Sequence, residues 1–381
     1  MLCFVGSRVI IKYSKYLCAG DNMFSNVKEY MEKLVSERGL PFLDVVCCRE
    51  GREIFRHTAG DADGKELLYM FSCSKPITVT AVMMLYERGM LSLDDEVEKY
   101  LPAYGNISVS DGDGVRPCRN KLTIRHLLTM SGGLDYNYFR GGVREVLEKN
   151  PNAETEEIIN AYTREPMLFE PGDRFSYSLC HDVLAAIIEK VSGSRFSKFI
   201  EENIFLPLGM TDSSFDNIPK REMAKAYKCT DDGIAPSRGV VPPSPRYESG
   251  GSGLISSVND YIKFASMLAL GGVSVDKVRI LKEETVELIR SEQISSVTVN
   301  NNFTCVQGSA YSYGLGVRTR KTATDWGLPV GEFGWDGAAG SYLLVDPERK
   351  ISIVMGMHVE VWPKCFMGEH LNIVKEIYKN L

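Results

Sequence analysis

The stretch that most constrains the fold is FSCSKP at residues 71–76, which runs directly into the apolar sequence ITVTAVMMLYERGM. Proline is accepted in a helix only in the first turn, where no N–H bond is needed, so Pro76 predicts that a helix begins near Ser72. Residues three apart share one helix face, which places Lys75 beside Ser72. The pair is therefore either a nucleophile with its base or a capping serine next to a surface lysine.

The first alternative requires that Lys75 be neutral. A serine hydroxyl is a weak nucleophile until a base accepts its proton, and an ammonium group cannot accept one. Burial and the positive end of a helix both disfavour the charged form of lysine, and the same helix end favours an alkoxide on Ser72. Because an S-x-x-K spacing occurs often by chance, the pair needs support from other segments.

Composition excludes several other classes of function. The 381 residues are 44% hydrophobic and 25% charged, with a net charge of −6, as in a globular protein with a large core. No basic tract predicts binding to nucleic acid, and no run of 18 apolar residues predicts a membrane span. The ten cysteines form no CxxC pair and the five histidines show no ligand spacing, so we expect neither a metal nor a cofactor.

Scattered cysteines in a chain of this length favour a reducing compartment over a disulfide framework, so we expect a cytoplasmic protein. The apolar run in residues 1–22 is interrupted by Arg8, Lys12 and Lys15, which is not the order of a signal peptide. We interpret residues 1–22 as an N-terminal extension outside the core. Met23 directly precedes an amphipathic pattern and is an alternative start of translation.

Hydrophobic periodicity orders the chain as a helix, strands, a long helical block, strands and a last helix. Strands from the two ends of a chain can pair into one antiparallel sheet with the terminal helices packed on its face. We therefore predict an α/β fold of the α+β kind with a large, mostly helical insertion. Residues 24–71 and 303–381 form the predicted sheet domain, residues 72–302 form the helical domain, and the active site lies between them.

Two further segments carry chemistry that the serine could use. Tyr177, in FSYSL ahead of an apolar helix, is either an anchor for that helix or an acid–base partner whose pKa a nearby lysine ammonium lowers. The small residues of GWDGAAG, 334–340, either form a tight turn or let a substrate lie against the backbone. In the second case, the N–H groups of Ser72 and Ala338 can form an oxyanion hole.

These three segments, in this order, resemble the serine β-lactamase and penicillin-binding-protein superfamily, and most closely its class C-like esterase branch. The phrases LTIRHLLTMSGGL, ENIFLPLGMTDSSF and GGSGLISSVNDYIKFASMLALGG match it as well, so the resemblance covers nearly the whole chain. It implies a β-lactamase/transpeptidase-like fold with Ser72 as nucleophile. It also implies that Lys75 and Tyr177 together accept the proton, and that the N–H groups of Ser72 and Ala338 hold the oxyanion.

Two positions depart from the lactam-processing members of this superfamily. Leu179 stands where their Y-x-N motif has an asparagine that holds an acylamino side chain, and Trp335 stands where a basic or imidazole group would meet a substrate carboxylate. The sequence Trp335-Asp336-Gly337 resembles the esterase branch at this place, and Asp336 disfavours an anionic ligand if it points inward. We expect Trp335, Asp336, Gly337 and Leu179 to form the substrate-binding site.

Residues beside these motifs allow two interpretations each. Tyr136, Tyr138 and Phe139 either wall an acyl pocket or pack at its rim. His181 and Asp182 follow Tyr177 closely enough to suggest a catalytic triad. They fit better as the start of the next helix, with Asp182 as a cap or a buried hydrogen-bond partner.

The resemblance implies a serine hydrolase that forms an acyl-serine intermediate with a small-molecule ester or amide. We expect esterase or acyl-transfer activity on a small, uncharged or apolar acyl donor. The first alternative is a β-lactamase or a D-stereospecific peptidase or carboxypeptidase, and the second is a sensor or scaffold that binds an acyl group without turnover. No cofactor, nucleic acid or stable membrane insertion is implied, and the oligomeric state is left open.

Overall fold

The computed structural model describes most of the chain, namely residues 23–112, 114–239, 242–295, 298–299 and 310–381. The predicted extension, residues 1–22, lies outside the described residues, as do residues 303–309 of the predicted sheet domain. Within the described ranges, no helix is long and apolar enough to cross a membrane.

Most helices come from the middle of the chain. In chain order they are α1 (Ser25–Ser36), α2 (Ser74–Glu87), α3 (Ile124–Leu128), α4 (Gly141–Lys149), α5 (Thr155–Ala161), α6 (Cys180–Ser192), α7 (Phe196–Ile200), α8 (Leu206–Leu208), α9 (Val258–Ala269), α10 (Glu283–Arg290), α11 (Pro363–Phe366) and α12 (Glu369–Tyr378). Short 3-10 turns occupy Phe71–Cys73, Val97–Lys99, Pro102–Asn106 and Tyr162–Arg164, and a π-helical turn occupies Glu201–Phe205.

The strands are β1 (Phe42–Arg49), β2 (Arg52–Gly60), β3 (Leu67–Tyr69), β4 (Ser108–Ser110), β5 (Val115–Pro117), β6 (Arg174–Phe175), β7 (Tyr227–Thr230), β8 (Gly233–Pro236), β9 (Ile255–Ser257), β10 (Thr298–Val299), β11 (Tyr311–Tyr313), β12 (Arg318–Arg320), β13 (Phe333–Asp336), β14 (Tyr342–Asp346), β15 (Ile351–Gly356) and β16 (Val359–Glu360). Seven of them form one antiparallel sheet in the order β11-β12-β13-β14-β15-β1-β2. Asp44 near the start of β1 lies opposite Gly356 at the end of β15, so strands from both ends of the chain meet in the sheet centre.

The side chains of β1 alternate between two cores, because successive residues of a strand point to opposite faces. Val46 and Cys48 pack in the core shared with α2, α6 and α9, whereas Val45 and Cys47 pack with α1 and α12. The sheet is therefore a central layer with the two terminal helices on one face and the helical insertion on the other. This arrangement confirms the predicted α+β fold.

The hairpin between β1 and β2 turns at Glu50 and Gly51, between the end of β1 and Arg52 at the start of β2. Glu50 and Gly51 both have positive φ angles, of 52° and 73°, which is the geometry of a tight two-residue hairpin turn. The Cβ of a larger residue at position 51 would lie 2.1 Å from a methyl group of Val275, so glycine is needed there for space as well. The turn thereby sets the register of the two strands.

The cysteines differ from the expectation in one pair. Cys229 in β7 and Cys365 in α11 form a disulfide bond across 136 residues of sequence. Sequence spacing gives no sign of it, because the two segments meet only through the parallel pairing of β16 with β7, where Val359 lies opposite Tyr227. The free cysteines among the described residues are Cys47, Cys48, Cys73, Cys118 and Cys180.

Candidate active site

The serine at the head of the apolar helix lies in a single 3-10 turn that leads into α2. This turn spans Phe71–Cys73, and α2 begins at Ser74, which agrees with the predicted helix start near Ser72. Phe71 has a φ of +46°, a strained value for an aromatic residue. Backbone strain of this kind is held in place by surrounding packing and clusters at functional sites. Ser72 itself is 7% exposed and lines a cavity.

Lys75 is fully buried on the same helix face as the serine. Its Nζ lies 3.1 Å from the Oγ of Ser72 and donates to the carbonyl oxygen of Gly251 at 2.8 Å. Burial lowers the pKa of Lys75 to about 7, against the opposing charge of Asp182, because the charged form loses its hydration. A large fraction of the amine is therefore neutral near pH 7 and able to accept a proton.

Tyr177 approaches the serine from the other side. Its hydroxyl donates to Ser72 Oγ at 2.6 Å and accepts from Trp335 Nε1 at 3.2 Å. The ring stacks between Tyr136 and Trp335, with centroid distances of 5.4 Å and 5.5 Å. Burial raises the pKa of Tyr177 well above its usual value, and the neighbouring rings of Tyr136 and Tyr313 add to the effect.

The expectation of a lowered tyrosine pKa is therefore wrong. That expectation assumed a phenolate beside a lysine ammonium. The structure places the half-buried phenol in an aromatic stack and next to a lysine that burial has made partly neutral. Desolvation then dominates, and the phenol of Tyr177 stays protonated at neutral pH.

Asp336 points toward the cavity, but its charge is compensated. Arg318 on the neighbouring strand β12 donates to Asp336 Oδ1. Burial raises the pKa of Asp336, but the Arg318 guanidinium outweighs that effect and holds the pKa below its usual value. The aspartate is thus ionised and paired, so it disfavours an anionic ligand less than the sequence alone indicates.

The cavity has a volume of about 660 Å³ and brings together most of the predicted site residues. Among the residues that line it are Ser72, Tyr177, Trp335, Asp336, Gly337 and Ala338. Leu179 is not among them, because it is 1% exposed and packs in the core, where its N–H bonds the carbonyl of Asp135 just before α6. The placement of Leu179 in the substrate-binding site is therefore wrong.

Sequence reasoning missed one whole wall of the cavity. Trp362 and Met367, in the segment that runs from β16 into α12, give this wall an apolar character, and His370 closes it. Arg318 and Tyr342 line the cavity from strands beside the Trp335 motif. None of these residues belongs to a recognisable motif, since each reaches the site through strand pairing or through the disulfide-linked helix α11.

The triad interpretation of the residues after Tyr177 does not hold. His181 is completely buried, and its ring nitrogens have no hydrogen-bond partner among the described residues. Asp182 accepts from Tyr247 Oη at 2.8 Å and from Ser249 Oγ at 2.5 Å, which confirms the alternative of a buried hydrogen-bond partner. Asp182 thereby fixes the Gly-rich loop that contains Gly251, and the carbonyl oxygen of Gly251 accepts a hydrogen bond from Lys75 Nζ.

The aromatic cluster YNYF divides between two places. Tyr136 lines the cavity and stacks on Tyr177, whereas Tyr138 bonds Ser252 at 2.9 Å in a separate, smaller depression that Phe139 also lines. Only the first of the three therefore walls the cavity that contains Ser72.

The chain is similar to several known proteins. MT1414 of Mycobacterium tuberculosis (strain CDC 1551 / Oshkosh) is 30% identical over 311 residues, which are 76% of this chain and 76% of that protein. Esterase EstB of Burkholderia gladioli is 26% identical over 361 residues, 85% of this chain and 87% of EstB. The solved structure of EstCE1, a hydrolase with promiscuous acyltransferase activity, superposes with a TM-score of 0.78 at 24% identity and covers 96% of this chain and 100% of its own.

The family model described as Beta-lactamase matches residues 25–373, which include every element from α1 to the middle of α12. The serine, the lysine and the tyrosine that meet at the cavity all lie within this match. This chain therefore belongs to the beta-lactamase family.

Proposed function

We propose that this protein is a serine hydrolase that acts through an acyl-serine intermediate, with esterase or acyl-transfer activity on small, uncharged esters. One observation carries the proposal: Ser72 Oγ lies between Lys75 Nζ at 3.1 Å and Tyr177 Oη at 2.6 Å. Burial holds the pKa of that lysine near 7 and that of the tyrosine far above 10. The serine thus has a base on one side and a proton donor on the other.

The geometry supports a division of roles between the two neighbours. Neutral Lys75 accepts the Ser72 proton as Oγ attacks the ester carbonyl, while the Tyr177 phenol donates to Oγ and steadies the developing negative charge. The N–H groups of Ser72 and Ala338 hold the carbonyl oxygen of the tetrahedral intermediate. The proton on Lys75 then passes to the departing alcohol, and the acyl-serine remains.

The second half of the reaction repeats these steps with a new nucleophile. Water or another alcohol attacks the acyl carbonyl and gives its proton to Lys75, and Ser72 leaves with a proton. A cavity of about 660 Å³ has room for an acyl group and an acceptor alcohol together. This volume, and the promiscuous acyltransferase activity of the similar hydrolase EstCE1, support acyl transfer as a second activity beside hydrolysis.

Two features favour esters over β-lactams and D-peptides. Among the described residues that line the cavity, none carries a side-chain amide that could hold an acylamino group, and Leu179 lies in the core. Trp335 stands where a basic group would bind a substrate carboxylate, and its indole N–H is bonded to Tyr177. The Arg318 guanidinium, which also lines the cavity, is already engaged by Asp336 and is not free to bind an anionic substrate.

The test is steady-state hydrolysis of p-nitrophenyl acetate and butyrate beside nitrocefin, with wild type, Ser72→Ala and, as a matched control, Ser36→Ala on the exposed side of α1. We expect ester turnover in wild type and Ser36→Ala, a loss of at least about a thousandfold in Ser72→Ala, and little nitrocefin cleavage. Fast nitrocefin turnover would favour the lactamase alternative. One equivalent of p-nitrophenol without further turnover would favour an acyl-binding sensor.

A further inference from the structure

The turn that carries Ala338 is held by bonds to nearly all of its carbonyl groups. Three of the four carbonyls in residues 337–340 accept from backbone N–H groups, which are those of Gly340, Val361 and Val359, each at 3.0 Å. Each bond fixes the plane of one peptide group and hence the direction of the N–H on the same peptide. The Ala338 N–H shares a peptide plane with the first of these carbonyls.

The fourth carbonyl, that of Gly340, is bonded by a side chain from a different element. His370 Nε2 at the start of α12 lies 2.8 Å from Gly340 O, and the histidine is 2% exposed. Gly340 has a φ of +93°, and a Cβ at this position would lie 2.2 Å from Met357. The backbone is therefore confined to a glycine-only conformation at the point where the imidazole holds it.

The imidazole is held in a fixed orientation. It packs in tilted contacts against the rings of Trp362 and Tyr342, with centroid distances of 3.9 Å and 4.5 Å. Because a carbonyl can only accept, Nε2 must carry a proton. Nδ1 lies 3.9 Å from Asp336 Oδ2 and has no hydrogen-bond partner among the described residues. Both ends of the ring thus face the turn that begins at Asp336.

The same turn is tied to the 3-10 turn of the serine. Ser341, which follows Gly340, donates from Oγ to the carbonyl of Met70 at 2.7 Å, and its own backbone carbonyl accepts from the Gly337 N–H at 2.7 Å. Met70 directly precedes the 3-10 turn that contains Ser72. The peptide that His370 bonds therefore belongs to the segment that connects the Ala338 turn to the residue before the Ser72 turn.

We propose that His370 is a positioning residue, which orients the Gly337–Gly340 turn through its bond to Gly340 O and so aims the Ala338 N–H at the reacting carbonyl. The inference rests on the proposed function, because it requires an acyl-transfer reaction at Ser72. His370 touches no reacting atom in this role. Its effect passes through the backbone, and so it should appear in the rate of the chemical step rather than in ground-state binding.

Two variants separate the hydrogen bond from the ring. His370→Gln places an amide nitrogen where Nε2 stands and removes the ring, whereas His370→Phe keeps an aromatic ring and removes the donor. On p-nitrophenyl butyrate we expect His370→Phe to lose kcat by on the order of tenfold with KM within about twofold, since small misplacements of catalytic groups are costly. We expect His370→Gln to retain kcat within about threefold of wild type.

Other outcomes would overturn the inference. A loss of kcat in His370→Gln beside retention in His370→Phe would mean that ring packing matters and the donor does not, and retention of kcat in both would mean that Gly340 O needs no partner. If His370→Phe does not fold, His370→Asn replaces it, because the shorter amide overlays Nδ1 and cannot reach Gly340 O. Ser72→Ala is measured in parallel. If Ser72→Ala retains turnover, the proposed function itself is refuted. If Ser72→Ala loses turnover while both His370 variants keep the wild-type kcat, this inference alone is refuted.

Discussion

Burial shifts the pKa values of the two neighbours of Ser72 in opposite directions, and it favours the uncharged form of both. The charged form of Lys75 is an ammonium, so desolvation lowers its pKa to about 7, whereas the charged form of Tyr177 is a phenolate, so desolvation raises its pKa. Burial therefore leaves Lys75 able to accept a proton and Tyr177 able to donate a hydrogen bond. Neither group needs a direct hydrogen bond to a charged side chain to reach this state. Asp182 accordingly accepts from Tyr247 and Ser249, whereas Lys75 donates to the backbone carbonyl of Gly251.

The pH dependence of acylation follows from the lysine. Because Lys75 reacts in its neutral form, kcat/KM for p-nitrophenyl acetate should rise about tenfold per pH unit on the acid side and level off above a midpoint of about 7. The measurement is a pH–rate profile corrected for background with Ser72→Ala. A profile that stays flat through neutral pH, or that falls as pH rises, would mean that Lys75 is not the base.

For single residues, the sequence predicts contacts between side chains that are only a few positions apart in the chain. Ser72 and Lys75 lie one helical turn apart, so their proximity follows from helix geometry once Pro76 marks the helix start. The pairing of Arg318 with Asp336 could not be predicted in this way. It depends on the register of β12 against β13, which no local pattern determines.

Among the elements, α11 and its flanks form the least predictable part of the site. This helix of four residues is tied to β7 by the Cys229–Cys365 bond and by an ion pair between Lys364 and Asp231. Its neighbours Trp362 and Met367 give the cavity its apolar wall. The disulfide therefore restrains a binding surface, although it is remote from Ser72 in the sequence.

Loss of this bond should affect large substrates more than small ones. In Cys365→Ser, we expect KM for p-nitrophenyl octanoate to rise roughly three- to tenfold, since ordering a loosened wall costs about 1 kcal/mol on binding. Values for p-nitrophenyl acetate should stay within about twofold. Cys118→Ser is the matched control, because Cys118 is a free thiol outside the cavity. An equal change for both esters would contradict a role of α11 in binding the longer chain.

The regular elements were predicted more fully. The terminal helices, the β1–β2 hairpin and the buried helix after Ser72 follow from periodicity and from turn residues, which act over short distances. The segment from Val359 to Gly368 was not predicted as a wall, because its two-residue strand and short helix are too brief for any period to be seen.

At the scale of the whole molecule, the two ends of the described chain form one structural unit. Asn26 in α1 bonds Glu376 in α12 through both its side-chain carboxylate and its carbonyl, and Asn380 bonds Asn26 in return. Beneath these polar contacts, the apolar faces of both helices share one core with the sheet. This core supports β15 and β1, on which the opposite core with α2 is built.

A substitution in this shared core should lower stability without altering the chemistry. Ile377 is completely buried, so Ile377→Ala should lower the free energy of unfolding by about 2–5 kcal/mol. Lys375→Ala on the exposed face of α12 should change it by less than about 0.5 kcal/mol. Urea denaturation measures both, and kcat per folded molecule should be unchanged. A large loss of kcat in folded Ile377→Ala would instead connect this core to the active site.

The central pairing of β1 with β15 also has a consequence for biosynthesis. A ribosome completes β1 about three hundred residues before its partner strand exists, because Asp44 pairs with Gly356. In the hairpin of β1 and β2, the edge of β1 that pairs with β15 therefore stays unpaired until almost the whole polypeptide has been synthesised. The Trp335 strand and the turn with Ala338 also arrive late. Nascent chains that already contain Ser72, Lys75 and Tyr177 thus lack the Ala338 half of the proposed oxyanion hole, so we expect hydrolytic competence only once the last strands have formed.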